Sequence, residues 1–310
     1  MKLLSAITTL SLALSATAVA QIAQARTESH AGRVDNAIRA LSGNNSTEAQ
    51  SLLCALYGSI EDRDRAIQAC EAAATASPNS SDAMLALARA YGDKADHSGT
   101  LTGMRMVGKI RSSFERAVQL DPRNVEALSD LGQFYVEAPA MVGGGTDKAN
   151  GLVGKLAPLS VSRSHRLAAM IAAKNHDDAK AEAEYKAAIA AAHSPEAYVD
   201  LAKYYRGRKQ FEAAETAARN ALQADKEHGP DTLDAAEILL DMHRNVPAAQ
   251  AALRSYLATP QQGIAQFAHA HMLLGDSLKA TGDNNGAQKE YAAALSLAQN
   301  YAPARKAAGR

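Results

Sequence analysis

Residues 195–225 carry a spacing of small and bulky side chains that is typical of a stacked helical hairpin. With Pro195 as the first position of a 34-residue unit, Ala202 and Ala214 fall at positions 8 and 20, and Leu201 and Tyr205 at positions 7 and 11. Two helices approach closely only where side chains are small, while Leu and Tyr fill the space between layers. One such hairpin leaves an apolar face uncovered, so the segment predicts further hairpins beside it.

The same spacing recurs along the chain. Matching units begin at residues 47, 81, 125 and 268, and weaker ones cover residues 162–194 and 231–260. About seven hairpins result, which exceeds the three or so that such a stack needs. No stretch shows the sustained alternation of β-branched residues that a strand requires.

These units resemble tetratricopeptide repeats (TPR), and the resemblance covers nearly all of the chain after its first 25 residues. It implies an all-α fold, a right-handed α-solenoid of about seven TPR-like helical hairpins. The composition agrees, because 47% hydrophobic residues with only 5% aromatic residues suit closely packed helices. The chain is also similar to exported bacterial TPR-containing proteins of unassigned role. Such motifs specify a fold and not a ligand.

The first 25 residues are predicted to be a secretory signal peptide. Lys2 precedes an apolar run at residues 3–20, and the chain has two small-x-small sites, Ala18-Val19-Ala20 at the end of the run and Ala23-Gln24-Ala25 after it. The sequence leaves open which site is cleaved. We therefore expect residues 26–310 to form the solenoid domain, secreted across the inner membrane into a periplasm, with no integral membrane segment after cleavage.

The two cysteines occupy matching heights of one predicted hairpin. Cys54 at position 8 and Cys70 at position 24 lie symmetrically about the turn near Asp62. A disulfide between them suits an oxidising compartment and, by loop-closure entropy, stabilises the fold by about 3 kcal/mol. Two buried free thiols are the alternative.

No motif in the sequence indicates catalysis, a metal or a cofactor. The loop Gly143, Gly144 and Gly145 lacks the order of a phosphate-binding loop, so a tight turn and a binding loop are the two interpretations. His269 and His271 lie two residues apart, on opposite sides of a helix, and cannot chelate one metal together. A formal charge of zero gives no nucleic-acid footprint. We expect a protein that is not an enzyme.

Two insertions interrupt the repeats, near residues 93–109 and 137–148. Both follow the first helix of adjacent hairpins, so both are expected at the same edge of the stack. Insertions clustered on one face often form a binding surface.

The first helix of each hairpin is expected to line a concave groove that binds a protein or peptide partner. Its candidate contact residues, with Leu85 and Val199 as apolar neighbours, are Arg89, Gln133, Lys203, Arg206 and Asp276. The leading hypothesis is an exported interaction scaffold. The alternative is a periplasmic helical-repeat protein, associated with transport, that binds a small molecule or lipid between the insertions and the groove.

Overall fold

The computed structural model describes residues 17–309, so most of the predicted signal peptide lies outside the described residues. Helix α1 covers residues 17–30, and all further regular structure within the described range is helical. The other helices are α2 Val34–Ala40, α3 Thr47–Ser59, α4 Arg63–Ala76, α5 Ser81–Asp96, α6 Thr100–Leu120, α7 Val125–Glu137, α8 Thr146–Leu156, α9 Val161–Lys174, α10 Asp178–Ala192, α11 Pro195–Gly207, α12 Phe211–Ala224, α13 Pro230–Asp241, α14 Val246–Ala258, α15 Phe267–Ala280, α16 Asn284–Leu297 and α17 Ala302–Ala307.

Local sequence signals set the helix boundaries. Ser46, Ser80 and Ser194 precede first helices and accept hydrogen bonds from the backbone amides three residues later. Asp62 and Asp283 cap second helices in the same way. These caps satisfy amide groups that a helix start leaves without intrahelical partners.

Within residues 17–309, seven antiparallel hairpins follow one another, from α3–α4 to α15–α16, which confirms the predicted all-α solenoid. The small residues expected at close approaches are buried, as Ala202, Ala214 and Ala221 show with no measurable exposure. First helices of neighbouring hairpins contact one another more closely than second helices do. The stack therefore bends toward its first helices, and their shared outer surface is the concave face.

The first insertion is taken up by longer helices. Helix α5 continues to Asp96, and α6 spans 21 residues from Thr100. The second insertion forms a short 3-10 turn, Ala140–Val142, before α8. Both segments lie at the same end of their hairpins.

Cys54 of α3 and Cys70 of α4 form a disulfide with Cα atoms 5.0 Å apart. Both residues are buried in the core between the first hairpins. The bond thus joins the two helices of a single hairpin, as the spacing of the cysteines predicts.

The two ends of the stack meet, a feature that the repeat pattern did not indicate. The amide of Ala265 donates to the carbonyl of Ser29 at 3.0 Å, and the amide of Gln299 donates to Asp35 Oδ2 at 2.8 Å. The Tyr301 hydroxyl reaches Glu61 Oε1 at 3.2 Å. We call this contact between residues 17–61 and residues 264–308 the seam.

One apolar core fills the seam. Ile22, Ala25 and Val34 pack in it with Leu295 and Tyr301, and Tyr301 is completely buried. The C-terminal residues therefore form neither a frayed tail nor a simple cap of the last hairpin, because they also bury the start of the chain. No helix within residues 17–309 has the length and apolar character needed to cross a membrane.

Candidate functional site

The concave face carries a row of ion pairs that connect the first helices of neighbouring hairpins. We call this row the ladder. Its cations are Arg89, Arg163, Arg166, Lys203 and Arg206, with His269 at the end, and its carboxylates are Glu126, Asp130, Glu196, Asp200, Asp234, Glu237 and Asp241.

The first half of the ladder joins α5, α7, α9 and α11. Arg89 contacts Asp130 Oδ2 at 2.6 Å through Nε and Glu126 Oε2 at 2.8 Å through Nη2. Arg163 bridges Glu126 and Glu196, each at 2.8 Å. The chain thus uses the guanidinium groups of this half to connect its own repeats.

Arg166 holds the most enclosed ladder position. Its Nε lies 2.9 Å from Asp200 Oδ2, and its Nη2 donates to Gln133 Oε1 at 2.8 Å. Burial works against the charge of Arg166, but the facing Asp200 carboxylate outweighs it and raises the pKa of the guanidinium. Both side chains keep less than a fifth of their exposure, so this pair is the least screened of the ladder.

The second half of the ladder joins α11, α13 and α15. Lys203 Nζ lies 2.7 Å from Asp234, and Arg206 Nη1 lies 2.5 Å from Asp241. His269 Nε2 lies 3.6 Å from Glu237, and its Nδ1 lies 2.9 Å from the Tyr301 hydroxyl of the seam.

Acids outnumber bases on this face. Burial, and then the nearby carboxylates of Glu196 and Asp234, raise the pKa of Asp231 to about 6. Burial also raises the pKa of Glu137, with a further contribution from Asp96, although Glu137 itself keeps an exposed surface. Since the whole chain is formally neutral, the concave face is negative relative to the rest of the surface.

The two insertions enclose a cavity of about 550 Å³, which we call the insertion cavity. It lies between the end of α5, the start of α6, the end of α7 and the 3-10 turn. Its floor is formed by Val107, Ile110, Phe114 and Phe134. This volume falls within the range of small-ligand sites.

A second cavity of about 540 Å³ lies beside the disulfide, between α3, α5 and α7. We call it the disulfide cavity. Arg89 and Asp93 line both cavities, so the two lie side by side on the concave face. Leu85, expected as an apolar groove neighbour, lines the disulfide cavity although its side chain is buried.

The glycine loop forms a tight turn whose amides bond within the chain. The amides of Gly143, Gly144 and Gly145 donate to the carbonyls of Ala140, Pro139 and Tyr135. A Cβ at Gly144 would lie 1.9 Å from the Ala138 carbonyl oxygen, and Gly143 and Gly145 have positive φ angles. The amides of the three glycines are thus used within the chain, which favours the tight turn, and the binding loop stays a prediction.

The candidate groove residues do not form one cluster. Arg89 and Gln133 line the insertion cavity, while Lys203 and Arg206 belong to the ladder on α11. Asp276 accepts a hydrogen bond from the Tyr291 hydroxyl at 2.6 Å. Val199, expected as an apolar groove neighbour, is buried in the core. Arg89, Lys203 and Arg206 lie in ion pairs of the ladder, and their role as partner contacts stays a prediction.

The repeat pattern did not indicate the arginines of α9 or the carboxylates that face them. Arg163 and Arg166 lie in the weak unit at residues 162–194, where few signature residues fixed the register. Opposite charges at equivalent positions of adjacent repeats would have indicated the ladder. Among residues 17–309, no group of three or more His, Cys, Asp or Glu is arranged to hold a metal ion.

The family model of the tetratricopeptide repeat matches residues 195–228 and 268–301, which are hairpins α11–α12 and α15–α16 with the turns that follow. Among curated proteins, none matches the chain.

Several solved structures resemble the chain over part of its length. A thermophilic TPR protein of Thermus thermophilus is 20% identical, with 67% of this chain and 92% of that chain covered and a TM-score of 0.42. YrrB, a TPR protein with an unusual peptide-binding site, is 12% identical, with 64% and 98% covered and a TM-score of 0.40. Human IFIT1, solved as a dimer with m7Gppp-AAAA, is 14% identical, with 84% and 60% covered and a TM-score of 0.46. Superpositions this partial say nothing about a ligand of the present chain.

Proposed function

Because this chain is a tetratricopeptide-repeat protein, we propose that it is an exported scaffold that binds a protein or peptide partner on its concave face and performs no chemistry of its own. The adjacent insertion cavity and disulfide cavity carry this proposal. Together they extend across three neighbouring first helices, α3, α5 and α7, and have both apolar and charged lining residues. An extended segment of another protein suits such a surface.

The ladder supports a rigid surface for this partner. Arg89, Arg166 and Lys203 are each held by a carboxylate of the next hairpin, so neighbouring repeats are fixed relative to one another. A surface that is ordered before binding loses less conformational entropy when the partner docks.

Export through the signal peptide is part of the same proposal. Because Ile22 and Ala25 are buried in the seam, the proposal takes cleavage after Ala20, which keeps both residues in the mature chain. The pattern at residues 1–25 supports it, and so does the Cys54–Cys70 disulfide, because disulfides persist in oxidising compartments. We propose the periplasm as the location. Cell fractionation of an epitope-tagged chain, with and without residues 2–20, tests this part separately.

Site-specific photo-crosslinking in the native host tests partner binding. A crosslinking amino acid at Gly99, beside the insertion cavity, or at Lys203, on the ladder, should capture the same discrete protein. The control site is Lys289, which is exposed on α16, outside the concave face. Equal capture from all three sites, or capture from Lys289 alone, would contradict binding on the concave face.

The insertion cavity also supports a second candidate function, the binding of a small molecule or lipid. An apolar floor and a volume of about 550 Å³ are the observations that favour it. Native mass spectrometry of the purified protein should then show a bound species that a bulky replacement at the floor, Val107→Trp, removes. If native mass spectrometry shows only the mass of the protein itself and the crosslinking captures a protein partner, the scaffold function is supported over small-molecule binding.

A further inference from the structure

The insertion cavity combines its apolar floor with two acidic side chains that lack a cationic partner. Four carboxylates line it, and Asp93 and Asp130 are paired with Arg63 and Arg89. Within residues 17–309, Asp96 and Glu137 have no salt bridge, while Arg166 and Lys174 act on Glu137 from a greater distance. The chain thus places no cation in direct contact with either carboxylate.

These two acids face the same space from neighbouring helices. Asp96 ends α5 and Glu137 ends α7, and the two carboxyl groups lie close enough to repel each other. The side-chain amide of Gln133 donates from Nε2 to Glu137 Oε1 at 2.9 Å. A cation placed between them would relieve this repulsion and form charge-assisted hydrogen bonds with both.

The rest of the cavity is apolar. Ile110 and Phe114 are buried in its floor, while the Met104 side chain stands at its rim with about half of its surface exposed. An exposed Met adapts its shape to different apolar side chains. The cavity therefore offers separate places for an apolar group and for a positive charge.

We infer that the insertion cavity receives a segment of a protein partner in which a basic side chain stands beside bulky apolar ones. This inference rests on the scaffold function proposed above and names the chemistry of its partner. The basic group lies between Asp96 and Glu137, and an adjacent apolar side chain packs on the floor. An arginine suits the acidic end best, because its planar guanidinium pairs with two carboxylates at once.

The adjacency of the two cavities favours a chain over a compact molecule. The disulfide cavity lies on the other side of Arg89 and Asp93, so an extended segment that passes these two side chains reaches both cavities. The excess of carboxylates on the ladder attracts a basic segment and repels an acidic one.

Fluorescence anisotropy with two labelled hexapeptides tests the inference. One probe alternates arginine with leucine, and the other has glutamate in place of arginine. We expect the arginine probe to bind and the glutamate probe to bind at least ten-fold more weakly. Binding of the arginine probe should weaken as salt is raised from about 50 to about 200 mM, since salt screens the attraction.

Two double variants locate the site. Asp96→Asn with Glu137→Gln should weaken binding of the arginine probe about ten-fold or more. Glu212→Gln with Glu227→Gln changes the net charge by the same amount at exposed positions away from the cavity, and should leave the affinity within two-fold. Met104→Ser should weaken binding of the arginine probe because it removes an apolar contact and leaves both acidic side chains in place. Far-UV circular dichroism confirms that each variant is folded.

The inference would be overturned by no binding of the arginine probe, by equal binding of both probes, or by equal loss in both double variants. None of them decides the scaffold function itself. If the crosslinking at Gly99 and Lys203 still captures one protein, the scaffold stands and its partner has another chemistry. If the crosslinking fails as well, both proposals are wrong. A cationic amphiphile that binds as tightly as the arginine probe contradicts a peptide partner.

Discussion

The seam makes a quantitative prediction at Gly32. This residue has a φ of +68°, and a Cβ built on it would lie 2.7–2.9 Å from Cδ2, Cβ and Cγ of Phe267 at the other end of the chain. Gly32→Ala should therefore lower the free energy of unfolding by about 1–2 kcal/mol because of the left-handed backbone. The overpacked contact with Phe267 should lower it by about 1–3 kcal/mol more.

Gly43 provides the matched control. It also has a left-handed backbone, with a φ of +76°, but a Cβ added there would have no atom within 4 Å. Gly43→Ala should therefore carry the backbone cost alone. The difference between the two variants, about 1–3 kcal/mol, measures the contact across the seam.

Urea unfolding followed by far-UV circular dichroism gives both costs, since the chain has no Trp for fluorescence. Hydrogen exchange adds location: Gly32→Ala should reduce protection in α2 and in α15–α17 together. In a Phe267→Ala background, which removes two of the three close contacts, the cost of Gly32→Ala should fall by at least about 0.5 kcal/mol.

Equal costs for Gly32→Ala and Gly43→Ala, with no coupling to Phe267, would refute the seam. The two ends of the solenoid would then lie apart in solution. Loss of protection in α2 without any change in α15–α17 would lead to the same conclusion.

Three further predictions concern other parts of the fold. Reduction of the Cys54–Cys70 bond, or replacement of both residues by Ala, should lower the free energy of unfolding by about 3 kcal/mol, measured by urea unfolding with and without reductant. Arg166→Ala should lower the free energy of unfolding by about 2–3 kcal/mol, because it leaves the mostly buried Asp200 unpaired. The double variant Arg166→Met with Asp200→Leu should recover most of that loss in the same urea-unfolding assay. Asp231 has a folded-state pKa of about 6, which lies above its unfolded pKa of about 3.9. Between these two pH values the folded state binds more protons than the unfolded state does. The free energy of unfolding therefore falls as pH rises through this window. Asp231→Asn should remove about 1–2 kcal/mol of this fall after allowance for solvent screening, and an unchanged difference between variant and parent at pH 4 and pH 7.5 would contradict the assignment.

The repeat spacing was enough to predict the hairpins. Positions such as Ala202 and Tyr205 depend on neighbours within one hairpin or the next, so a local pattern determines them. The pairing of Cys54 with Cys70 follows from the same local geometry, since both belong to one hairpin.

The chemistry of the concave face could be predicted only in part. The sequence placed Arg89, Lys203 and Arg206 on that face, but their carboxylate partners belong to other repeats, 31 to 41 residues away. Which acid faces which base depends on the rotation between neighbouring hairpins. That rotation comes from packing across the whole interface and leaves no simple signal in the spacing.

By itself, the sequence determined the helical hairpins, their approximate number and the matching heights of the two cysteines, because each depends on residues close in the chain. The tertiary structure decided the seam, the ladder and the insertion cavity. Ser29 meets Ala265, and Gly32 meets Phe267, only after the small bends between successive hairpins have added up over the whole stack. A sum of many small rotations is a property of the folded chain, and no single repeat contains it.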